Sequence, residues 1–286
     1  MTDRYAVIGN PIAQSKSPVI HALFAKATNQ DLTYERLEGP LGQFALSVDA
    51  FRATGAHAHS HAKGLNVTAP FKLDAFTYTH ASERSERAQL AGAVNAMKFD
   101  GDRVMAENFD GVGLVRDLEV NLQRPLSGKR VLILGAGGAT RGALLPILEA
   151  QPALLFVANR TAETARQLVA PYLGASVVAA GGFDDLQSET FDVVLNATSS
   201  SLSSDAPPIS GVLAQRIYAA NALAYELTYG KGLTPFLRQA KAAGAAQIAD
   251  GVGMLVEQAA EAFYWWRGVR PKTQDAIAAI TVPLSA

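Results

Sequence analysis

The segment Gly135-Ala136-Gly137-Gly138-Ala139-Thr140-Arg141-Gly142 constrains the fold more than any other, because of what flanks it. Before it runs the apolar stretch Arg130-Val131-Leu132-Ile133-Leu134, which reads as a buried parallel strand. After it, Ala143-Leu144-Leu145-Pro146-Ile147-Leu148 reads as a helix packed on a sheet. Strand, glycine turn and helix together make a place where a dinucleotide pyrophosphate can sit. Glycines let the backbone approach the phosphates, and the free N–H groups and dipole of the helix start attract the anion. Thr140 stands where a strict G-x-G-x-x-G has Gly or Ala, and tight turns of this kind also use glycine for structure alone.

The rest of the chain repeats the same rhythm. Strand patterns are expected at 5–9, 32–37, 65–68, 94–99 and 103–107, then at 130–134, 154–158, 177–179, 191–196, 217–222 and 247–249. Helical patterns alternate with them, which argues an α/β fold with a doubly wound, mostly parallel sheet. A helix is expected over 18–27, with Ser17 as its cap, Pro18 in its first turn, and Ile20, Leu23 and Phe24 on one face. A connecting helix is expected over 112–122, and two closing helices over 254–267 and 274–280, with Gly251 and Gly253 as a hinge at the entry. Trp265 and Trp266 read as packing residues, one of them partly exposed.

Composition excludes several classes. The 286 residues carry a net charge of −1 and no basic run, so no nucleic-acid partner is expected. No segment is apolar for long enough to span a bilayer. The residues after Met1 lead straight into a strand pattern, so no secretory signal is expected, and a cytoplasmic location fits. The absence of cysteine excludes disulfides, thiolate metal sites and a cysteine nucleophile. His57, His59 and His61 alternate and would share one face of a strand, but no acidic ligand accompanies them. A solvated loop is expected there, and no metal.

The end of the second strand after the glycine turn bears on the cofactor. NAD sites place an acid there to hold the ribose 2′-OH. Here Leu154-Leu155-Phe156-Val157-Ala158 is followed by Asn159-Arg160-Thr161, with no carboxylate at the tip. Arg160 offers a planar cation suited to a 2′-phosphate, so NADP is favoured. Thr161 also suits the N-cap of the next helix, and both roles can hold at once.

Many motifs in order resemble one family, the NADP-dependent shikimate dehydrogenases, which interconvert 3-dehydroshikimate and shikimate. They are Gly9-Asn10-Pro11-Ile12-Ala13-Gln14-Ser15-Lys16-Ser17-Pro18, Asn66-Val67-Thr68-Ala69-Pro70-Phe71-Lys72, Gly92-Ala93-Val94-Asn95 and Asn108-Phe109-Asp110-Gly111. The glycine turn, Asn159-Arg160-Thr161, Asn196-Ala197-Thr198-Ser199-Ser200, Thr234-Pro235-Phe236-Leu237 and the run from Asp250 to Ala260 complete the set. The resemblance implies an N-terminal α/β substrate domain over 1–111 plus 252–286, a Rossmann-like NADP-binding domain over 112–251, and a reaction cleft between them.

It also implies roles. Ser15 and Ser17 hold the carboxylate of a small hydroxylated ring acid. Asn66 and Thr68, two apart on a strand, point to one side, and Asn95 sits in another strand; all three belong to the substrate set. Tyr229 lines the pocket, and Gln258 reaches a substrate hydroxyl. Lys72 and Asp110 form the catalytic pair. Reducing a ring ketone requires a hydride on carbon and a proton on the nascent alkoxide; a Lys ammonium can supply the proton and an Asp can orient it. The reverse assignment of the two stays open. The cofactor set is Gly135, Ala136, Gly137, Gly138, Ala139, Asn159, Arg160, Thr161, Thr198, Ser199, Leu227 and Gly251.

The chain departs from the family pattern at four places. Phe109 replaces a common Thr and adds bulk expected beside Lys72. Ala96 replaces a Thr, Glu226 an Asp, and Thr164 an Arg of the 2′-phosphate clamp. A quinate/shikimate dehydrogenase-like paralogue with altered preference and a non-catalytic NADP-sensing homologue are the alternatives, and a folate one-carbon dehydrogenase is a more distant rival. The expected assembly is a monomer or homodimer.

Overall fold

The computed structural model describes residues 2–53, 61–174, 177–186, 189–198, 200, 205–207 and 209–285. The chain divides into two compact units, Met1–Gly113 with Val256–Ile280, and Leu114–Leu255 with Thr281–Ala286.

The first unit contains β1 (Asp3–Gly9), α1 (Ser17–Ala27), β2 (Leu32–Glu38), α2 (Phe44–Ala53), β3 (His61–Val67), α3 (Lys72–Tyr78), α4 (Glu86–Ala91), β4 (Ala96–Asp100) and β5 (Arg103–Glu107). Its sheet runs β2-β1-β3-β4-β5. The first three strands are parallel, whereas β4 and β5 are antiparallel to their neighbours. Only Gly101 and Asp102 separate β4 from β5. A link that short makes a hairpin and cannot make a crossover, so the alternation does not continue into one parallel sheet. Phe44, Val48 and Phe51 of α2 pack with Ile8, Leu65, Val67 and Met97 to form the core.

The helix over 18–27 forms, but Ser17 is not its cap. Ser17 is already the first helical residue, and Lys16 at the cap position offers no side-chain bond. The Ser17 N–H donates instead to Ser15 Oγ at 3.3 Å. The hydroxyl that meets the helix start is therefore two residues earlier than expected.

The second unit holds β6 (Arg130–Leu134), α6 (Gly138–Glu149), β7 (Leu154–Ala158), α7 (Ala162–Val169), β8 (Val178–Gly181), β9 (Phe191–Asn196), α8 (Gly211–Arg216), β10 (Tyr218–Glu226), α9 (Pro235–Ala242) and β11 (Gln247–Asp250). Its sheet is parallel throughout, in the order β11-β10-β9-β6-β7-β8. Alternate residues of β6 feed two cores. Val131 and Ile133 pack on one face, Leu132 and Leu134 on the other. That is why this strand reads as an unbroken apolar run. The chain moves outward from β6 in one direction and from β9 in the other. The neighbouring ends of β6 and β9 are thus the switch point where such sheets open a ligand crevice.

The connecting helix starts earlier and ends differently than expected. This helix, α5, begins at Asp110, runs to Arg116, and continues as a π-helical turn over Asp117–Asn121. Buried Asp117 accepts from Tyr225 Oη at 2.7 Å and Asn121 Nδ2 at 2.9 Å, which fixes that turn. The closing helices are Val252–Arg267 and Gln274–Ile280. The glycines expected as a hinge are there for space. A Cβ on Gly253 would stand 1.8 Å from Asp117 Oδ1, and one on Gly251 would stand 2.2 Å from the Leu227 carbonyl oxygen. Trp266 is buried and donates through Nε1 to the Met97 carbonyl at 3.0 Å, while Trp265 is half-buried. Among the described residues no helix is long and apolar enough to cross a membrane.

Candidate active site

In the first unit, four elements bring polar side chains to one cluster. Lys72 opens α3 directly after the Pro70-Phe71 turn, where Phe71 N–H returns to the Thr68 carbonyl at 2.9 Å. Asp110 opens the helix after β5. Lys72 Nζ donates to Asp110 Oδ2 at 2.5 Å, with the two side chains 33% and 16% exposed. The pair is sheltered yet reachable. Asp110 is held from its other oxygen: Asn95 Nδ2 donates to Oδ1 at 2.8 Å. Asn95 is itself oriented, because its Oδ1 accepts the Phe109 N–H at 2.8 Å. Its Nδ2 also reaches Gln258 Oε1 at 3.4 Å. Residues 72, 95, 110 and 258 therefore form one connected network.

Asn66, at the end of β3, is buried and points toward the same strands. Its Nδ2 donates to the Asn95 carbonyl at 3.4 Å, and its Oδ1 accepts from Tyr34 Oη at 2.6 Å and lies 3.1 Å from His21 Nε2. Thr68 lies just past the strand end. Ser15 is fixed by Arg36, whose Nε and Nη2 donate to the Ser15 carbonyl at 3.2 and 2.7 Å. His21, Tyr34 and Arg36 carry no sequence signal; they emerge only once β2 is laid beside β1.

Phe109 does not project beside Lys72 as expected. It is buried with Tyr5, Ala96, Ala262 and Trp266, and meets Trp265 edge to face at 5.8 Å. Neighbouring residues at a helix start point in different directions, so the bulk enters the core while Asp110 faces Lys72.

In the second unit, a groove of about 880 Å³ opens at the switch point. Gly135, Ala136, Gly137, Gly138, Ala139, Asn159, Arg160, Thr161, Thr198 and Leu227 all line it. Gly135 adopts φ +103°, and a Cβ there would meet the Ala197 carbonyl at 3.0 Å. Glycine is required at that position on both counts. At Gly137 and Gly138 a Cβ would meet nothing within 4 Å. Gly137 caps α6 with no side-chain bond, leaving the first N–H groups of the helix to the groove.

Arg160 is exposed, and Thr161 sits at the cap of α7 without using its hydroxyl for it. Asn159 Nδ2 donates to the Thr161 carbonyl at 3.0 Å and shapes the tip. Thr198 is held by Asn196 Oδ1 at 2.7 Å, and Asn196 in turn donates to buried Glu226 Oε2 at 3.0 Å. Glu226 also accepts from Thr234 Oγ1 and the Thr228 N–H, so its extra methylene relative to Asp is used in bridging β9 to β10. Open glycines, a helix start facing the groove and an exposed guanidinium fit a dinucleotide diphosphate and a 2′-phosphate.

Gly251 packs beneath Leu227 rather than lining the groove, and Tyr229 belongs to this unit with 39% exposure. Ser199 lies outside the described residues, as do His57 and His59. Phe183, Asp205 and Thr228 line the groove without having been expected. Among the described residues no group of three or more His, Cys, Asp or Glu side chains can hold a metal.

A parallel sheet with a glycine turn at its switch point, and a second α/β unit bearing a Lys–Asp pair, define an α/β dehydrogenase of the dinucleotide-binding class. Three family models match the chain: the shikimate dehydrogenase substrate binding domain over residues 7–97, shikimate / quinate 5-dehydrogenase over 118–204, and the shikimate 5′-dehydrogenase C-terminal domain over 251–281. The chain is 50% identical over 277 residues to a shikimate dehydrogenase (NADP(+)) of Nitrosospira multiformis, covering 97% of this chain and 96% of that one. An Ael1 enzyme from Pseudomonas putida is 55% identical with a TM-score of 0.91, over 99% and 100% of the two chains. A shikimate 5-dehydrogenase from Thermus thermophilus, solved with NADP(H) and shikimate, is 29% identical with a TM-score of 0.82, over 98% of each chain. The chain belongs to the shikimate dehydrogenase family.

Proposed function

We propose that this chain catalyses the NADP-dependent, reversible reduction of 3-dehydroshikimate to shikimate. The observation that carries the chemistry is the Lys72–Asp110 pair, fixed from behind by Asn95. When bound, NADP accepts or supplies the hydride. Carbonyl reduction leaves an alkoxide that must gain a proton, and oxidation must remove one. Lys72 Nζ carries that proton, and its charge opposes the developing oxyanion. Asp110 holds the amine in place. Gln258 offers its amide to a ring hydroxyl, Asn95 keeps a second Oδ1 lone pair for another, and Asn66, Thr68, Ser15 and Ser17 complete the substrate set in this unit. The first unit takes the substrate; the second takes the dinucleotide at Gly135–Ala139, Asn159–Thr161, Thr198, Ser199 and Leu227, with Gly251 supporting Leu227. A monomer or homodimer in the cytoplasm goes with this reading.

A second reading is a quinate/shikimate dehydrogenase-like enzyme with altered preference. It is favoured by the family model over residues 118–204, which is named for both acids. One assay separates the two: NADPH absorbance with purified protein, crossing shikimate and quinate with NADP and NAD. NADPH formation with shikimate is expected. Turnover with quinate and none with shikimate would overturn the first reading.

A further inference from the structure

We propose that His21 and Tyr34 are positioning residues that hold the Asn66 amide so that it meets the substrate as a hydrogen-bond donor only. The inference rests on the reading of Asn66 as a substrate contact.

The orientation follows from donor and acceptor bookkeeping. The Asn95 carbonyl, 3.4 Å from Asn66 Nδ2, can only accept. The amide nitrogen must therefore lie on that side, and Oδ1 must face Tyr34 and His21. Oδ1 then needs donors from both. Tyr34 Oη, 2.6 Å away, supplies one. Burial raises that phenol well above its ordinary value, so it keeps its proton. The ring nitrogen Nε2 of His21, at 3.1 Å, supplies the other in its Nε2–H tautomer.

His21 is 1% exposed and stacks on Tyr34 with centroids 4.1 Å apart and planes at 7°. Phe24, Phe263 and Trp266 surround the remaining ring. In this apolar box the histidine is neutral, its pKa pushed down to about 3. Both lone pairs of Oδ1 are thus spent, and one of the two amide hydrogens is spent on Asn95. A single N–H is left to give. It recognises an oxygen lone pair, as on a carboxylate or a ring hydroxyl, and turns away a group that can only donate.

Two substitutions at one position separate donor from packing. His21→Phe keeps a ring against Tyr34 but has no donor; His21→Gln keeps a donor near Nε2 but loses the ring. The donor role predicts that His21→Phe raises the shikimate KM roughly 3- to 10-fold with kcat within about twofold, while His21→Gln stays close to wild type. The reverse order, or a fall in kcat at unchanged KM, would overturn the proposal. If His21→Phe fails to fold, Tyr34→Phe removes one donor with the ring intact and is read the same way.

The Asn66 side-chain NH₂ resonance gives a second readout that needs no turnover. Hydrogen exchange slow in the wild type and His21→Gln, and faster in His21→Phe or Tyr34→Phe, supports the fixed amide; equal exchange in all of them overturns it. A wild type inactive on shikimate that still shows this exchange pattern marks failure of the functional reading alone.

Discussion

Nζ of Lys72 stands 2.5 Å from Oδ2 of Asp110, across 38 positions of sequence. The contact exists because α3 and the helix after β5 both begin at the same end of the first sheet. Lys72→Ala removes the proton-transfer group, and kcat is expected to fall about 10²- to 10⁴-fold. The NADP groove is built by other residues, so dinucleotide affinity measured by fluorescence titration should stay within about twofold. The double variant Lys72→Ala/Asp110→Asn should be hardly slower than Lys72→Ala alone, since the two act as a unit. Near-normal turnover in Lys72→Ala would refute the assignment.

Arg160 tests the choice of dinucleotide. It is exposed at the tip of β7, in a groove lined by open glycines. A charge-assisted contact to a 2′-phosphate is worth about 1.5–3 kcal/mol. Arg160→Ala should therefore raise the Kd for NADP by roughly 10- to 100-fold and leave that for NAD unchanged. Arg160→Glu should weaken NADP further. Equal losses for both dinucleotides would assign Arg160 to the shape of the loop instead.

Much of this was legible in the sequence because some signals are local. The β6 strand is apolar on both faces, and Gly135 is fixed by a backbone conformation as well as a close approach. The Lys72–Asp110 pair was legible through motifs only, since nothing in a lone lysine reports a partner so far along the chain. His21 and Tyr34 were illegible for the opposite reason. A buried histidine and a half-buried tyrosine look like ordinary helix and strand residues until pairing of β1 with β2 and β3 brings them to Asn66. Ser17 was misread because capping depends on where the first helical turn starts, a boundary that propensity sets poorly.

Phe109 tests whether the departure beside Asp110 changes specificity. Its ring is 5% exposed among Tyr5, Ala96, Ala262 and Trp266. Truncating a packed Phe leaves a cavity, and a threonine hydroxyl adds a polar group to it. Phe109→Thr is expected to cost about 2–4 kcal/mol in urea unfolding. The ratio of shikimate to quinate turnover should hardly move. A shifted ratio at unchanged stability would place the ring in the substrate pocket after all.

His21 also makes stability depend on pH, with a definite sign. Its folded pKa, about 3, lies below the ordinary 6.5, because burial penalises the imidazolium more than the Asn66 bond helps it. Below pH 6.5 the unfolded chain therefore binds a proton that the folded chain refuses, and stability falls as pH falls. The contribution is complete above pH 6.5 and is lost progressively toward pH 3, at up to about 1.4 kcal/mol per pH unit. His21→Gln cannot titrate. The stability difference between wild type and His21→Gln, from urea unfolding, should thus shrink by roughly 1 kcal/mol per unit between about pH 6 and pH 4. Carboxylates common to both proteins cancel in that difference. A difference that stays flat across the interval would mean that the imidazole is as easily charged in the folded protein as in the unfolded one, and that its aromatic box admits water.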